Sequence, residues 1–345
     1  GATCGSKPTW FPGLRGGGGE PGASGGGGKH VLYGALHCLL DFPAPGEAAP
    51  EVIIPTPAWV SYAPITRLAG GKVVEVETTV ERDFKMTPEQ LRRAITPNSR
   101  VLVLNSPSNP CGTMYTPDEL RALAGVVAEA AKTTAPGLVI VTDEIYEKIV
   151  YGGIEHFSIG SVPEVSERTF TVNGLSKAYA MTGWRIGYGA MPGEFGRSLI
   201  KAIGTLQGQM TTNITSFNYP AIRTALTACA ADVERMREAF ASRAELIHRR
   251  LKEIPGVVCP KPTGAFYVFP DISGLFGATT PGGAPIGSAQ DLCEALLAEE
   301  LLAFVPGEDS GGGGEDHVRI SFACSEETIN QGMDRFAAFV QKLGV

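Results

Sequence analysis

Between about Lys29 and Gly189 the chain alternates short, continuously apolar runs with segments that open on helix-capping signals, and no other feature narrows its fold so far. Glu51–Ile54, Gly71–Val76, Arg100–Leu104, Gly137–Thr142, Arg168–Val172 and Trp184–Gly189 read as strands. Strands that are apolar at successive positions are buried on both faces. The segments between them read as helices: His30–Leu40, residues 58–69, one after Thr87-Pro88 with Gln90 three residues past the cap, and one opened by Thr116-Pro117-Asp118-Glu119 that ends near Lys132. A hydroxyl cap, a proline and an acid or amide three residues on is the grammar of a helix start. This pattern calls for an α/β fold: three layers, with a mostly parallel sheet covered by helices on both faces.

A long helical stretch, roughly Ser216–Leu251, follows, and beyond it the texture changes. Gly256–Cys259, Ala265–Phe269 and Val318–Phe322 read as strands, with helices near Ala289–Glu300 and Glu326–Leu343. These form a smaller α+β unit, so the chain is divided into a large domain, 13–230, and a small C-terminal domain, 231–345.

Charge and cysteine usage exclude several function classes. Lys and Arg total 29 against 36 Asp and Glu, a net charge of −7, with no long run of either sign. Nucleic acid and anionic membrane surfaces are therefore poor partners. No run approaches the roughly 20 apolar residues needed to span a bilayer. The seven cysteines (4, 38, 111, 229, 259, 293 and 324) are scattered without a CxxC pair, and the five histidines are dispersed. No metal site is expected, and the thiols fit a reducing compartment, the cytoplasm or an organelle stroma or matrix. Gly1–Pro12 shows no basic start followed by an apolar run, so no targeting segment is read there.

In an open α/β sheet, ligands sit beyond the carboxyl ends of the strands. Asn105-Ser106-Pro107-Ser108-Asn109-Pro110-Cys111-Gly112 follows one strand, Asp143-Glu144-Ile145-Tyr146 the next, and Asn173-Gly174-Leu175-Ser176-Lys177 the third, with Arg185 eight residues on. Each residue alone has an ordinary reading: Asn-Pro marks turns, an Asp after a strand caps a helix, and a lone lysine is solvated. Together they meet the needs of pyridoxal phosphate: an amine to bind it, a carboxylate for its ring nitrogen, donors for its phenolate oxygen and ligands for its phosphate.

At this point the sequence resembles the class I/II pyridoxal-phosphate-dependent aminotransferases, which share the aspartate aminotransferase fold. The carrying segments are NSPSNPCG (105–112), TDEIY (142–146), NGLSKAYAMTGWRIGY (173–188) and HVRISFA (317–323), and PTPAWVSY (55–62) points to the prokaryotic-type aspartate aminotransferases. The resemblance runs from about Gly25 to the end. It implies that Lys177 holds the cofactor as an imine and shuttles the substrate's Cα proton, and that Asp143 keeps the pyridine nitrogen protonated. Tyr146 and Asn109 would hydrogen-bond the phenolate oxygen, and Trp59 would stack on the ring. Arg185, Ser176 and the backbone of Gly27, Gly28 and Lys29 would hold the phosphate. Arg319 would take the substrate's α-carboxylate, with Trp59 and Asn109 lining the same subsite. The implied reaction is ping-pong transfer between an amino acid of the aspartate/glutamate type and a 2-oxo acid, in a homodimer.

Three features depart from the family pattern. Relatives often carry Ser three residues before the lysine, where this chain has Gly174. Only 26 residues precede Gly27, fewer than in relatives, with Trp10 near the place of a tyrosine that reaches the partner subunit's phosphate. Glycine is 44 of 345 residues, about twice the usual share of roughly 7%. Much of it lies in Gly16–Gly19, Gly25–Gly28 and Gly311–Gly314. The second run reads as the phosphate turn; the other two read as linkers or fillers. A lyase or synthase using the same cofactor, a prephenate or aromatic aminotransferase, and an inactive shortened relative remain open on the sequence.

Overall fold

The computed structural model describes residues 22–40, 42–44 and 46–344. Expectations placed on Cys4, Trp10 and Gly16–Gly19 lie outside them.

The two capped helix starts form because each satisfies backbone donors that a helix leaves orphaned. Thr87 accepts from the Gln90 amide and Gln90 returns the bond, and Thr116 and Glu119 do the same. In chain order the first part comprises β1 (Gly22–Gly25), α1 (Gly28–Leu39), β2 (Glu51–Thr56), α2 (Tyr62–Leu68), β3 (Lys72–Glu77), α3 (Pro88–Ala94), β4 (Ser99–Asn105), α4 (Pro117–Ala130), β5 (Val139–Asp143), β6 (Thr169–Gly174), β7 (Gly187–Ala190), α5 (Gly193–Met210) and α6 (Tyr219–Ala228). Then come α7 (Ala230–Lys252), β8 (Tyr267–Val268), α8 (Ala289–Glu300), β9 (Val305–Pro306), β10 (Val318–Ser321) and α9 (Glu326–Leu343).

Seven strands make one sheet in the order β1-β7-β6-β5-β4-β2-β3. The pairs from β3 through to β6 are parallel, and β7 and β1 add antiparallel at the edge. Alternate residues of each strand serve opposite faces. Val101, Val103, Val139 and Val141 pack toward α1 and α5, while Leu102, Leu104 and Ile140 pack toward α3 and α4. That double burial is why the strands carry unbroken apolar runs. A second sheet, β8-β10-β9, is antiparallel and packs with α7, α8 and α9 in a separate core, to which Ile145, Tyr146, Ile149 and Tyr151 also contribute.

Some local expectations were off. The long helix breaks at Cys229 into α6 and α7, and residues 58–69 are helical only from Tyr62. Gly256–Cys259 contributes only a bridge between Val258 and Asp271. The sequence reading missed β1 and α5: one is built from small residues, and the other carries four glycines along one helix. No helix among the described residues is long and apolar enough to cross a membrane.

Candidate active site

The carboxyl ends of β4, β5 and β6 lie side by side, which brings the three strand-end segments onto one rim. Asn105 ties the first two together. Its Nδ2 donates to the Asp143 carbonyl at 2.8 Å and its Oδ1 accepts from the Asn109 amide at 2.8 Å. Asp143 ends β5 with a buried carboxylate that accepts from Tyr62 Oη at 2.8 Å and from the Ile145 amide at 3.3 Å. Lys177 follows β6, half-buried, its Nζ 5.3 Å from the centre of the Phe266 ring and 6.0 Å from that of Tyr146. Arg319, on β10 of the smaller sheet, spans the cleft and donates to Asn109 Oδ1 at 3.2 Å.

Arg185 sits at the amino end of α1. It donates to the carbonyls of Gly26 at 2.9 Å and Thr182 at 2.8 Å, which leaves three of its five N–H groups without a partner among the described residues. Gly27, with φ of 98°, turns the chain into α1 beneath this guanidinium. Trp59 is half-buried just before α2, with Lys29 Nζ 4.9 Å over its ring. Ser176 is buried beside Lys177, and its carbonyl accepts from Thr182 Oγ1.

The electrostatics are uneven. Burial pushes Asp143 up to about 6 despite the hydrogen bond from Tyr62 and the charge of Lys177. Burial and then the charge of Arg319 hold the Lys177 amine below its ordinary range, against the pull of Asp143. Both effects have the same origin: desolvation penalises the charged form of either group. Tyr62 and Tyr146 are raised well above the ordinary phenol range, chiefly by burial, so both remain proton donors.

A protein-family model described as aminotransferase class I and II matches residues 25–336. An aspartate aminotransferase of Geobacillus stearothermophilus is 43% identical over 319 residues, covering 91% of this chain and 75% of that protein. An aspartate/prephenate aminotransferase of Cereibacter sphaeroides is 44% identical over 314 residues, covering 91% and 74%. The crystal structure of the Rhizobium meliloti aspartate aminotransferase superposes with a TM-score of 0.86 at 37% identity, covering 93% of this chain and 76% of that one. The chain belongs to the class I and II aminotransferase family.

Pyridoxal 5′-phosphate is the cofactor of this aminotransferase, and the donor set fits it. The free amides at the amino end of α1 are electropositive, and Arg185 adds a full charge beside them. The Asp143 carboxylate is already engaged by Tyr62 and Ile145. Such a cradle is complementary to a phosphate dianion, with a buried carboxylate and an amine of depressed basicity at its other end.

Two details sharpen the residue expectations. The Gly27 amide is not free: it donates to the Gly25 carbonyl at 2.7 Å, so Gly28 and Lys29 present the turn's open amides. Gly27 instead permits the close approach of Arg185. Gly174 has a steric reason, because a Cβ there would lie 2.7 Å from the Ile186 carbonyl oxygen and 3.0 Å from Ile145 Cδ1.

Sequence reasoning missed Tyr62 and Tyr267. Tyr62 stands three residues after Trp59 but 81 from the carboxylate it holds, and Tyr267 pairs with Tyr146 at 3.1 Å across 121 residues. The scattered histidines and acids also meet at one point, where ligand-type atoms of Glu144, Glu147 and His156 lie within 4.8 Å of each other. Glu144, pushed up to about 8 by burial, accepts there from Ser158 and Thr142.

Proposed function

We propose that this aminotransferase moves an amino group between aspartate or glutamate and the corresponding 2-oxo acids, with Lys177, Asp143 and Tyr146 at the reacting centre. The observation that carries this reading is the half-buried Lys177 amine at the end of β6, its basicity lowered by burial and the charge of Arg319 against the pull of Asp143. When bound, pyridoxal phosphate supplies an aldehyde that takes up the amino group and a ring that withdraws electrons from the substrate's α-carbon.

The chain's residues supply the rest. Gly28 and Lys29 amides, the remaining N–H groups of Arg185 and the Ser176 hydroxyl hold the phosphate. Asp143 holds a proton on the ring nitrogen opposite, and the positive charge there favours the ionised carboxylate that burial alone resists. Trp59 covers the ring face. Asn109 Oδ1 is occupied by Arg319, which leaves its NH₂ to donate to the phenolate oxygen. Tyr146, whose hydroxyl donates to Tyr267 at 3.1 Å in the cofactor-free fold, turns that donor to the same oxygen.

Arg319 takes the substrate's α-carboxylate as a fork-to-fork pair. Lys29, exposed beside Trp59, offers a second cation for an acidic side chain, which favours aspartate over an aromatic or prephenate-type partner. Lys177 Nζ, its basicity lowered by burial, accepts the α-proton. The first 2-oxo acid leaves before the second enters, giving ping-pong kinetics.

The division into a large domain and a small one at 230/231 is supported by the helix break at Cys229 and the separate second core. A homodimer is supported by exposed Trp184, Met210, Phe217 and Tyr219 around the Arg185 turn. The free thiols among the described cysteines suit a reducing compartment, the cytoplasm or an organelle stroma or matrix.

The test is transfer from aspartate to 2-oxoglutarate. Equal yields of oxaloacetate and glutamate are expected; oxaloacetate without glutamate contradicts the reading and favours a lyase.

A further inference from the structure

His317 is buried, and neither of its ring nitrogens has a hydrogen-bond partner among the described residues. Its ring stacks on Phe269 with centroids 5.0 Å apart and planes 8° apart, and meets the edge of Phe84 at 5.2 Å. Phe269 directly follows β8 of the smaller sheet. Phe84 comes from the turn before α3, on the seven-stranded sheet. The imidazole therefore fills the seam between the two sheets.

That turn is unusually committed. Asp83 and Phe84 both adopt left-handed φ, 53° and 55°, and Thr113 Oγ1 donates to the Asp83 carbonyl at 2.7 Å. Thr113 ends the loop that carries Asn109. Cys111 of the same loop packs with Phe84 and Phe269. His317 lies two residues before Arg319, hence on the same side of its strand. A closed circuit results: Asn109 loop, Phe84 turn, His317, Arg319, and back to Asn109 Oδ1.

We propose that His317 is a positioning residue: its uncharged imidazole, packed between Phe269 and Phe84, seats the strand that holds Arg319 over Asn109, and protonation of the ring loosens that seat. The inference rests on the reading of Arg319 as the substrate-carboxylate residue. An uncharged ring suits an apolar sandwich, whereas an imidazolium would have no acceptor there. The charged groups facing the ring are Asp271 from the paired segment, Glu315 and Asp316 from its own loop, and Glu81 from the Phe84 turn. Asp83 on that turn lies 3.7 Å from Lys85. The four facing acids favour a charged ring, but burial outweighs them and holds its pKa below the ordinary 6.5. The folded protein thus binds this proton less readily than the unfolded chain, so the seat holds at neutral pH and fails as pH falls.

The experiment measures the dissociation constant of succinate, a dicarboxylate that is not transaminated, by calorimetry on the cofactor-loaded protein at pH 8 and pH 5.5. Three proteins are compared: wild type, His317→Phe, which keeps the stack without titrating, and Arg319→Ala. At pH 8 wild type and His317→Phe are expected to agree within twofold, and Arg319→Ala to bind at least tenfold more weakly. Between pH 8 and pH 5.5 the ratio of the wild-type constant to that of His317→Phe is expected to rise at least threefold. A flat ratio, with Arg319→Ala still weakened, overturns the proposal alone. Unchanged binding in Arg319→Ala overturns the reading of Arg319 and the proposal with it. If His317→Phe fails to fold, His317→Gln replaces it as a non-titrating variant, with the same ratio deciding.

Discussion

Two glycine-rich turns border the site, one packed against a cation and the other against a sheet edge. Gly25–Gly28 leads into α1, where Gly27 at φ 98° creates a helix start with open amides under Arg185. Here glycine supplies a conformation. Gly311–Gly314 straps the smaller sheet to the β3 edge, where a Cβ on Gly311 would lie 2.8 Å from Thr56 Cγ2, and the Gly312 amide donates to Glu75 at 3.0 Å. Next to it, Ser310 accepts from the Ala58 amide at 2.8 Å, beside Trp59. Here glycine supplies both missing volume and conformation, since Gly311 and Gly313 hold left-handed φ of 87° and 79°. The strap is not a filler. It is a close-packed seat for the strand that bears Arg319. One turn serves the phosphate end of the cleft and the other the carboxylate end, so changes in each should separate cofactor affinity from substrate affinity.

The largest effect belongs to the residue between the two turns. Lys177→Ala is expected to lower transamination on the order of 10⁴-fold or more while leaving the circular dichroism spectrum unchanged. Substantial turnover would remove the common centre that makes the comparison meaningful. At the phosphate end, Gly27→Ala combines an unfavourable φ with a clash against Arg185. It should weaken cofactor binding roughly 10- to 100-fold, read by equilibrium titration, at the cost of a strained turn and a charged hydrogen-bond set. Succinate affinity of the fully loaded protein should stay within about threefold.

Asp143 sharpens the picture from the middle. Its pKa in the cofactor-free fold is about 6, raised by burial from 3.8, so the folded chain holds a proton that the unfolded chain has released between those values. Its contribution to stability is complete below 3.8 and is lost as pH rises toward and past about 6. Asp143→Asn should therefore stabilise the cofactor-free protein at pH 8 by about 1–3 kcal/mol in urea titrations, while turnover falls. A lower midpoint than wild type would contradict this. The smallest effect lies at the strap. Gly311→Ala should raise the KM for aspartate roughly three- to tenfold, since it combines a left-handed φ of 87° with a contact on Thr56, a cost of about 1–3 kcal/mol shared between stability and substrate binding. Gly312→Ala, which meets only the end of the Glu77 side chain, should be near neutral.

The rim of the site was legible because it depends on local grammar. Double burial writes unbroken apolar runs into β4, β5 and β6, and the residues following them stand at the carboxyl edge whatever the rest of the chain does. Asn109, Asp143 and Lys177 are found this way. What escaped depends on distance or on absence. Tyr62 and Tyr267 act across 81 and 121 residues, a separation no periodicity encodes. β1 and α5 are written with glycines that weaken propensity, and close packing accounts for some of them: a Cβ at Gly25 of β1 would lie 3.1 Å from Val31 Cγ2, and one at Gly196 of α5 would clash with the Met191 carbonyl. The Gly311–Gly314 strap reads as a linker in sequence because missing volume matters only when its neighbours are known.

The central claim is that Lys177 is the residue that holds pyridoxal phosphate. Its direct measurement is borohydride reduction of the cofactor-loaded protein followed by peptide mass mapping. The added cofactor mass should fall on the peptide containing Lys177, with Lys29 unmodified. Modification of Lys29 alone, or no covalent cofactor on a protein that transaminates, would contradict it.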